Sequence, residues 1–178
     1  LMEGLPVDSA VFSGPMWGIS LPGALRPVAY GAAYLGPLLG LGGRPMPTTG
    51  RQNYVEKQEF EGNALTTDPE MYLMMQRQLA AHPELGIGGP TLRWMHEALI
   101  ETAHLARQPA PDLPCLTLLG GRESIVCTEA IRSRMQGWPK GRLEIVEGAQ
   151  HEVMMEGPET RARLFDQIAA QFAAPVAA

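Results

Sequence analysis

The chain has 178 residues, 45% of them hydrophobic, which suits one domain, or part of one, with a sizeable core. Its 14 Lys and Arg against 19 Asp and Glu give a net charge of −5 with no basic cluster, so nucleic acid is excluded as an expected partner. No apolar run approaches the roughly 18 residues that span a bilayer, no leader-like segment opens the chain, and two cysteines are too few for a disulfide scaffold, so a cytoplasmic protein with reduced thiols is expected.

Leu1 to Pro6 opens as though in the last turn of a helix that Gly4 and Pro6 terminate, and a start at Leu rather than Met suggests a fragment. Met2 as the true start is the alternative. Val7 to Ser13 is β-branched and aromatic-containing, a strand that empties into a loop at Gly14-Pro15. The rhythm then changes. Leu21 to Pro47 is rich in Gly and Pro and carries Tyr30 and Tyr34. Thr67-Asp68-Pro69-Glu70 is a capping-box candidate with Met71, Met74, Met75 and Leu79 behind it, and Pro90 starts a second helix with Leu92, Met95, Leu99 and Ala103 on one face.

Pro114 to Leu119 is the second strand, ending in Gly120-Gly121. Thr128 to Gln136 has helical spacing at Ala130, Ile131, Arg134 and Met135, with Gly137 as its stop. Leu143 to Val146 is the third strand, and Pro158 begins a helix with Leu164, Phe165, Ile168, Ala169 and Phe172 on one stripe. Residues 173–178 form a frayed tail. Strand, helix, strand, helix at this spacing predicts an α/β fold, a parallel sheet covered by helices. Three regions follow: a core strand in 1–16, a mainly helical insertion in 17–108, and a core region in 109–178. Crossovers of one hand bring the loops after the strands to one edge.

Chemistry concentrates there. Glu123 follows the Gly-Gly turn after the second strand, and His151 follows the third, within Glu147-Gly148-Ala149-Gln150-His151-Glu152. Neighbouring parallel strands lie about 4.8 Å apart, so the two side chains are within reach of each other. A carboxylate that accepts the Nδ1 proton of His151 fixes its tautomer and favours the imidazolium formed when Nε2 takes a proton from a nucleophile. The alternative is a solvated Glu123 paired with Arg122 and a surface or capping His151. Glu152 is expected at the surface or behind the histidine, and Glu156 is expected to cap the last helix. His82, His96 and His104 form no metal set, so no metal is expected. None of Ser9, Ser13, Ser20, Ser124 and Ser133 lies in a Gly-x-Ser-x-Gly elbow, and Cys127, at a helix start, is the thiol candidate.

Several segments together resemble the α/β-hydrolase superfamily, in particular bacterial lysophospholipases and monoacylglycerol lipases. They are Val11-Phe12-Ser13-Gly14-Pro15-Met16, Asn63-Ala64-Leu65-Thr66-Thr67-Asp68-Pro69, Gly120 to Val126, Trp138-Pro139, Glu144-Ile145-Val146 and Glu147 to His151. The resemblance covers almost the whole chain. It implies a serine hydrolase acting on a lipid-like carboxylic ester without cofactor. His151 would be the general base and then acid, and Glu123 would stand where the family more often has Asp. It also implies that the nucleophile elbow lies upstream of Leu1, so that these 178 residues alone are inactive. The helical insertion becomes a lid, with transient membrane-surface contact through it and with Met71, Met75 and Met95 as candidates for an acyl-chain wall. Two rivals are a hydrolase of the same fold with an Asp nucleophile, such as an epoxide hydrolase or dehalogenase, and a catalytically dead interaction module.

Overall fold

The computed structural model describes residues 5–21, 23–47, 49–50 and 52–173. Strands β1 (Ala10–Ser13), β2 (Cys115–Gly120) and β3 (Gly141–Val146) form one parallel sheet in the order β1-β2-β3. Helices α1 (Arg26–Leu38), α2 (Tyr54–Lys57), α3 (Pro69–Ala81) and α4 (Leu92–Arg107) all lie between β1 and β2 in the chain. Helix α5 (Thr128–Gln136) joins β2 to β3, and α6 (Pro158–Ala173) follows β3. The expected α/β fold with a parallel sheet is therefore observed.

The central strand explains the stability of this frame. All six residues of β2 are buried, as a parallel strand covered on both faces requires. Successive side chains alternate between faces. Leu116 and Leu118 pack with Val146, Val153 and Leu164 on the α6 side, while Leu119 packs with Val126 and Ile131 and Cys115 with Met135 and Trp138 on the α5 side. Each such aliphatic side chain contributes roughly 1.5–3 kcal/mol on full burial. The loop leaving β2 is thus mounted on a fully buried strand, and the loop leaving β3 on the strand paired with it. Ala10 is level with Cys115, and Cys115 with Gly141, so all three strands release their chains at the same sheet edge.

Strand β1 begins at Ala10, where pairing with β2 starts, rather than at Val7. The helix end expected over Leu1 to Pro6 falls largely on residues outside those described, as does the expected tail apart from Ala173, which is the last residue of α6. Helix α1 was not legible in the Gly- and Pro-rich stretch. Gly31, Gly36 and Pro37 are poor helix formers, but packing overrides propensity here. Ala29, Ala33 and Gly36 are buried against α4 through Leu92, Met95 and Leu99. A Cβ on Gly36 would come within 2.6 Å of Leu92 Cδ1, so the small residues are what lets the two helices approach.

The capping-box expectation at Thr67 is corrected. Asp68 is the N-cap of α3, its carboxylate accepting from the Glu70 and Met71 N–H groups at 2.9 and 3.2 Å, with Pro69 filling the first turn. The Thr67 hydroxyl points elsewhere, to Glu156. Likewise α4 starts at Leu92 rather than at Pro90, with Thr91 as its N-cap, the Thr91 hydroxyl accepting from the Trp94 N–H. Among the described residues no helix is long and apolar enough to cross a membrane.

Candidate active site

Two loops leave the sheet edge side by side and are stitched together by their backbones. Gly121 N–H donates to the Val146 carbonyl at 2.9 Å, and Arg122 N–H to the Ala149 carbonyl at 2.8 Å. Gly120 permits this approach. A Cβ there would fall 2.1 Å from the Gln150 carbonyl oxygen, so no side chain fits. The second loop turns at Gly148, whose φ of +77° favours glycine.

This stitching brings the two expected residues together. His151 Nδ1 lies 2.6 Å from Glu123 Oε2. The Glu123 side chain is fully buried and that of His151 is 19% exposed. Glu123 Oε1 accepts from the backbone N–H groups of Ile125 at 2.6 Å and Val126 at 3.2 Å, which aims the second oxygen at the ring. Arg122 is exposed and forms no ion pair with Glu123 among the described residues. Gly14, just after β1, also closes on the ring. A Cβ on Gly14 would lie 3.0 Å from His151 Cε1, and its φ is +48°.

The electrostatics follow from these contacts. Burial alone would push the Glu123 carboxyl up. The hydrogen bond with His151, the N–H groups of Ile125 and Val126 and the imidazole charge together hold it below the usual carboxylate range. The hydrogen bond to Glu123 raises the His151 pKa above its ordinary value. Burial opposes that, and the charges of Glu123 and Glu152 add to it. An ionised carboxylate only accepts, so the neutral imidazole carries its proton on Nδ1 and leaves Nε2 with a free lone pair. Such a ring can take a proton from an oxygen or sulfur nucleophile and return it to a leaving group.

The other candidates fall elsewhere. Ser13 ends β1, and Cys127 caps α5 with its thiol 3.5 Å from Glu129 Oε2. Among the described residues neither they nor any other hydroxyl or thiol hydrogen-bonds to His151. His82 pairs with Glu84, His96 packs edge-on against Tyr34, and His104 contacts Gln108. Among the described residues no group of His, Cys, Asp and Glu could hold a metal. Met95 is buried and lines an apolar cavity of about 550 Å³ together with Met16, Ile19, Trp94, Ile125 and Val126. The last two are the residues whose N–H groups bind Glu123 Oε1, so the cavity shares the loop that holds the carboxylate. Met71 and Met75, on α3, do not line it.

Glu156 is a further correction. It does not cap α6: its buried carboxylate accepts from the Gln150 N–H at 2.7 Å and the Thr67 N–H at 3.0 Å. The pairing of Glu156 and its loop with the Asn63 to Thr67 segment was not readable from residue spacing, because the two segments are about ninety positions apart.

The family pattern described as serine aminopeptidase, S33, matches residues 2–158. Among curated proteins the chain is similar to a probable lysophospholipase L2 of Haemophilus influenzae, with 29% identity over 163 residues, covering 91% of this chain and 50% of that protein. Among solved structures it resembles a monoglyceride lipase of Saccharomyces cerevisiae (TM-score 0.62, 16% identity, 91% of this chain and 54% of the other). It also resembles a monoacylglycerol lipase of Paleococcus ferrophilus (TM-score 0.66, 13% identity, 94% and 59%). At those identities the structural likeness establishes the fold, and the chain spans about half the length of the proteins it matches.

Proposed function

The chain belongs to the serine aminopeptidase S33 family of α/β hydrolases, and from that premise we propose that it carries the acid and base of a lipid-ester hydrolase of lysophospholipase or monoacylglycerol lipase type. The observation that carries the reading is the 2.6 Å contact between His151 Nδ1 and the buried Glu123 carboxylate, with no hydrogen bond to Nε2 among the described residues. His151 acts as general base toward a serine hydroxyl and then as general acid toward the leaving alcohol, and Glu123 orients the ring and stabilises the imidazolium. The serine is contributed by sequence outside these 178 residues, in the part of the relatives' length that the chain does not span. Without it the 178 residues alone have no esterase activity.

The substrate side of the proposal rests on the cavity beside Ile125 and Val126. Its lining is largely apolar, and Met95 and Met16 are adaptable enough to follow an acyl chain. The helices between β1 and β2 form the lid over it. Exposed leucines on and after α1, among them Leu35, Leu38 and Leu39, give that lid a face suited to transient contact with a lipid surface.

The test uses the complete gene product with short p-nitrophenyl esters and a monoacylglycerol. His151→Ala is expected to lower kcat by at least about 10³-fold. Retention of activity in that variant overturns the triad assignment. An aspartate in place of the expected serine elbow would move the protein to the other nucleophile class.

A further inference from the structure

We infer that Glu156 is a positioning residue, whose buried carboxylate clamps the His151 loop to the 63–67 segment before α3 and so fixes where the catalytic imidazole sits. The inference rests on the triad reading above and extends it to a residue outside the triad.

Glu156 is 3% exposed. Its carboxylate oxygens are divided between two pieces of chain. Oε1 accepts from the Gln150 N–H at 2.7 Å, directly beside His151 in sequence. Oε2 accepts from the Thr67 N–H at 3.0 Å and from the Thr67 hydroxyl. Among the described residues no cation pairs with this carboxylate. Arg161 donates instead to the Glu156 main-chain oxygen and pairs with Asp68. A carboxylate removed from water is costly unless such donors compensate it, so the donors and the loop that carries them are held together.

The segment held by Thr67 touches the histidine itself. His151 N–H donates to the Ala64 carbonyl at 3.3 Å and Glu152 N–H to the Leu65 carbonyl at 2.7 Å. The Gln150 amide donates to the Asn63 carbonyl at 2.8 Å, and the Thr66 hydroxyl to the Met155 carbonyl at 2.6 Å. Asn63 stiffens the segment from within, its side-chain oxygen accepting from Leu65 and Thr66 and its amide donating to Phe60 and Thr66. The main chain on both sides of His151 is thereby anchored to groups that Glu156 ties down. Ring placement is what a proton relay is sensitive to, since a misplacement of about 1 Å can cost about 10²-fold in rate.

The complete gene product is compared with its Glu156→Gln and Thr67→Val variants, with His151→Ala alongside. The carboxamide of E156Q has one acceptor for N–H groups on both sides, so one of its own N–H groups must face a donor. T67V removes only an exposed residue's hydroxyl. Expected for E156Q is a fall in kcat of about 10- to 100-fold with KM within about two-fold. The low-field proton resonance of the His151 Nδ1–H···Glu123 bond should also move or broaden. T67V should change both in the same direction but less. Wild-type kcat and an unmoved resonance in both variants would overturn the inference. So would parallel losses in kcat, KM and thermal midpoint with the resonance unmoved, because that marks packing alone. If E156Q does not fold, T67V decides by the same two readouts. An active H151A would instead sink the triad reading, whereas an inactive H151A with wild-type E156Q and T67V would sink only the clamp.

Discussion

Glu123 shares its carboxylate between two kinds of donor: Oε1 takes the backbone N–H groups of Ile125 and Val126, and Oε2 takes the ring of His151 at 2.6 Å. The division has a consequence for Glu123→Gln. The single oxygen of the glutamine stays with the backbone donors, so its NH₂ faces Nδ1 and forces the imidazole proton onto Nε2, where the base must be free. The expected loss in kcat for the complete enzyme is about 10²- to 10⁴-fold.

The same pair is expected to set the pH dependence of the complete enzyme. The pKa of His151 is raised, first by its hydrogen bond to Glu123, so the acid limb of kcat/KM is expected above the ordinary imidazole value of 6.5. In Glu123→Gln the limb should move to lower pH, and an unmoved limb would contradict the assignment. For stability the signs run oppositely for the two groups. The raised His151 pKa contributes stability that is complete below 6.5 and is lost as pH rises through the higher folded value. The lowered Glu123 pKa contributes stability that is present above its ordinary 4.5 and is lost as pH falls through the lower folded value. Urea midpoints of wild type and E123Q across both windows check this.

Gly120→Ala should be costlier than Gly148→Ala, although Gly148 has the positive φ. At Gly120 a Cβ meets the Gln150 and Ala149 carbonyl oxygens at 2.1 and 2.8 Å, and backbone cannot rotate aside. Overpacking of that kind costs about 1–3 kcal/mol, often more when main chain must move, and here it displaces the histidine loop. At Gly148 nothing lies within 4 Å of the added Cβ, so only the φ of +77° is penalised, by about 1–2 kcal/mol. Denaturant midpoints and kcat of the two variants decide it: only G120A should lose activity along with stability. Equal stability losses with equal activity would contradict the role given to Gly120.

What the sequence made legible was the part built from local pattern. The apolar run from Cys115 to Gly120 and the stripe through Leu164 identify the buried strand and a covering helix because burial on a sheet imposes its own spelling. The meeting of Glu123 with His151 was legible because strand ends in a parallel sheet share an edge. Helix α1 was hidden because its glycines serve contact with Leu92 rather than helix propensity. Glu156 was misassigned to the end of α6 because nothing in its neighbourhood of sequence announces Thr67, 89 positions earlier, as its partner. Long-range polar pairing leaves no periodic trace.

Of the three methionines weighed for an acyl wall, Met95 alone lines the cavity of about 550 Å³. Met95→Phe fills part of that space. The expected result is a drop of about 10-fold in the long-chain to short-chain ratio of kcat/KM, since a pocket discriminates one or two methylenes on that scale. Met71→Leu and Met75→Leu should leave the chain-length profile within about two-fold. A shift in either of these, or none in M95F, would reassign the wall.

The exposed end of α1 supplies the last expectation. Leu38 and Leu39 are 82% and 72% exposed at the end of α1, and the helix carries no acidic residue. Side chains that exposed add little to the fold, so replacing them with serine should leave the thermal midpoint nearly unchanged. Each would gain up to about 2 kcal/mol by entering an apolar phase, so the double variant Leu38→Ser/Leu39→Ser should bind zwitterionic vesicles at least about 10-fold more weakly. Hydrolysis of a monomeric p-nitrophenyl ester should stay within about two-fold of wild type, while hydrolysis of a vesicle-borne monoacylglycerol falls. Equal loss on both substrates would mean that these leucines support the catalytic core instead of a lipid surface, and wild-type behaviour on vesicles would remove α1 from the membrane-facing role altogether.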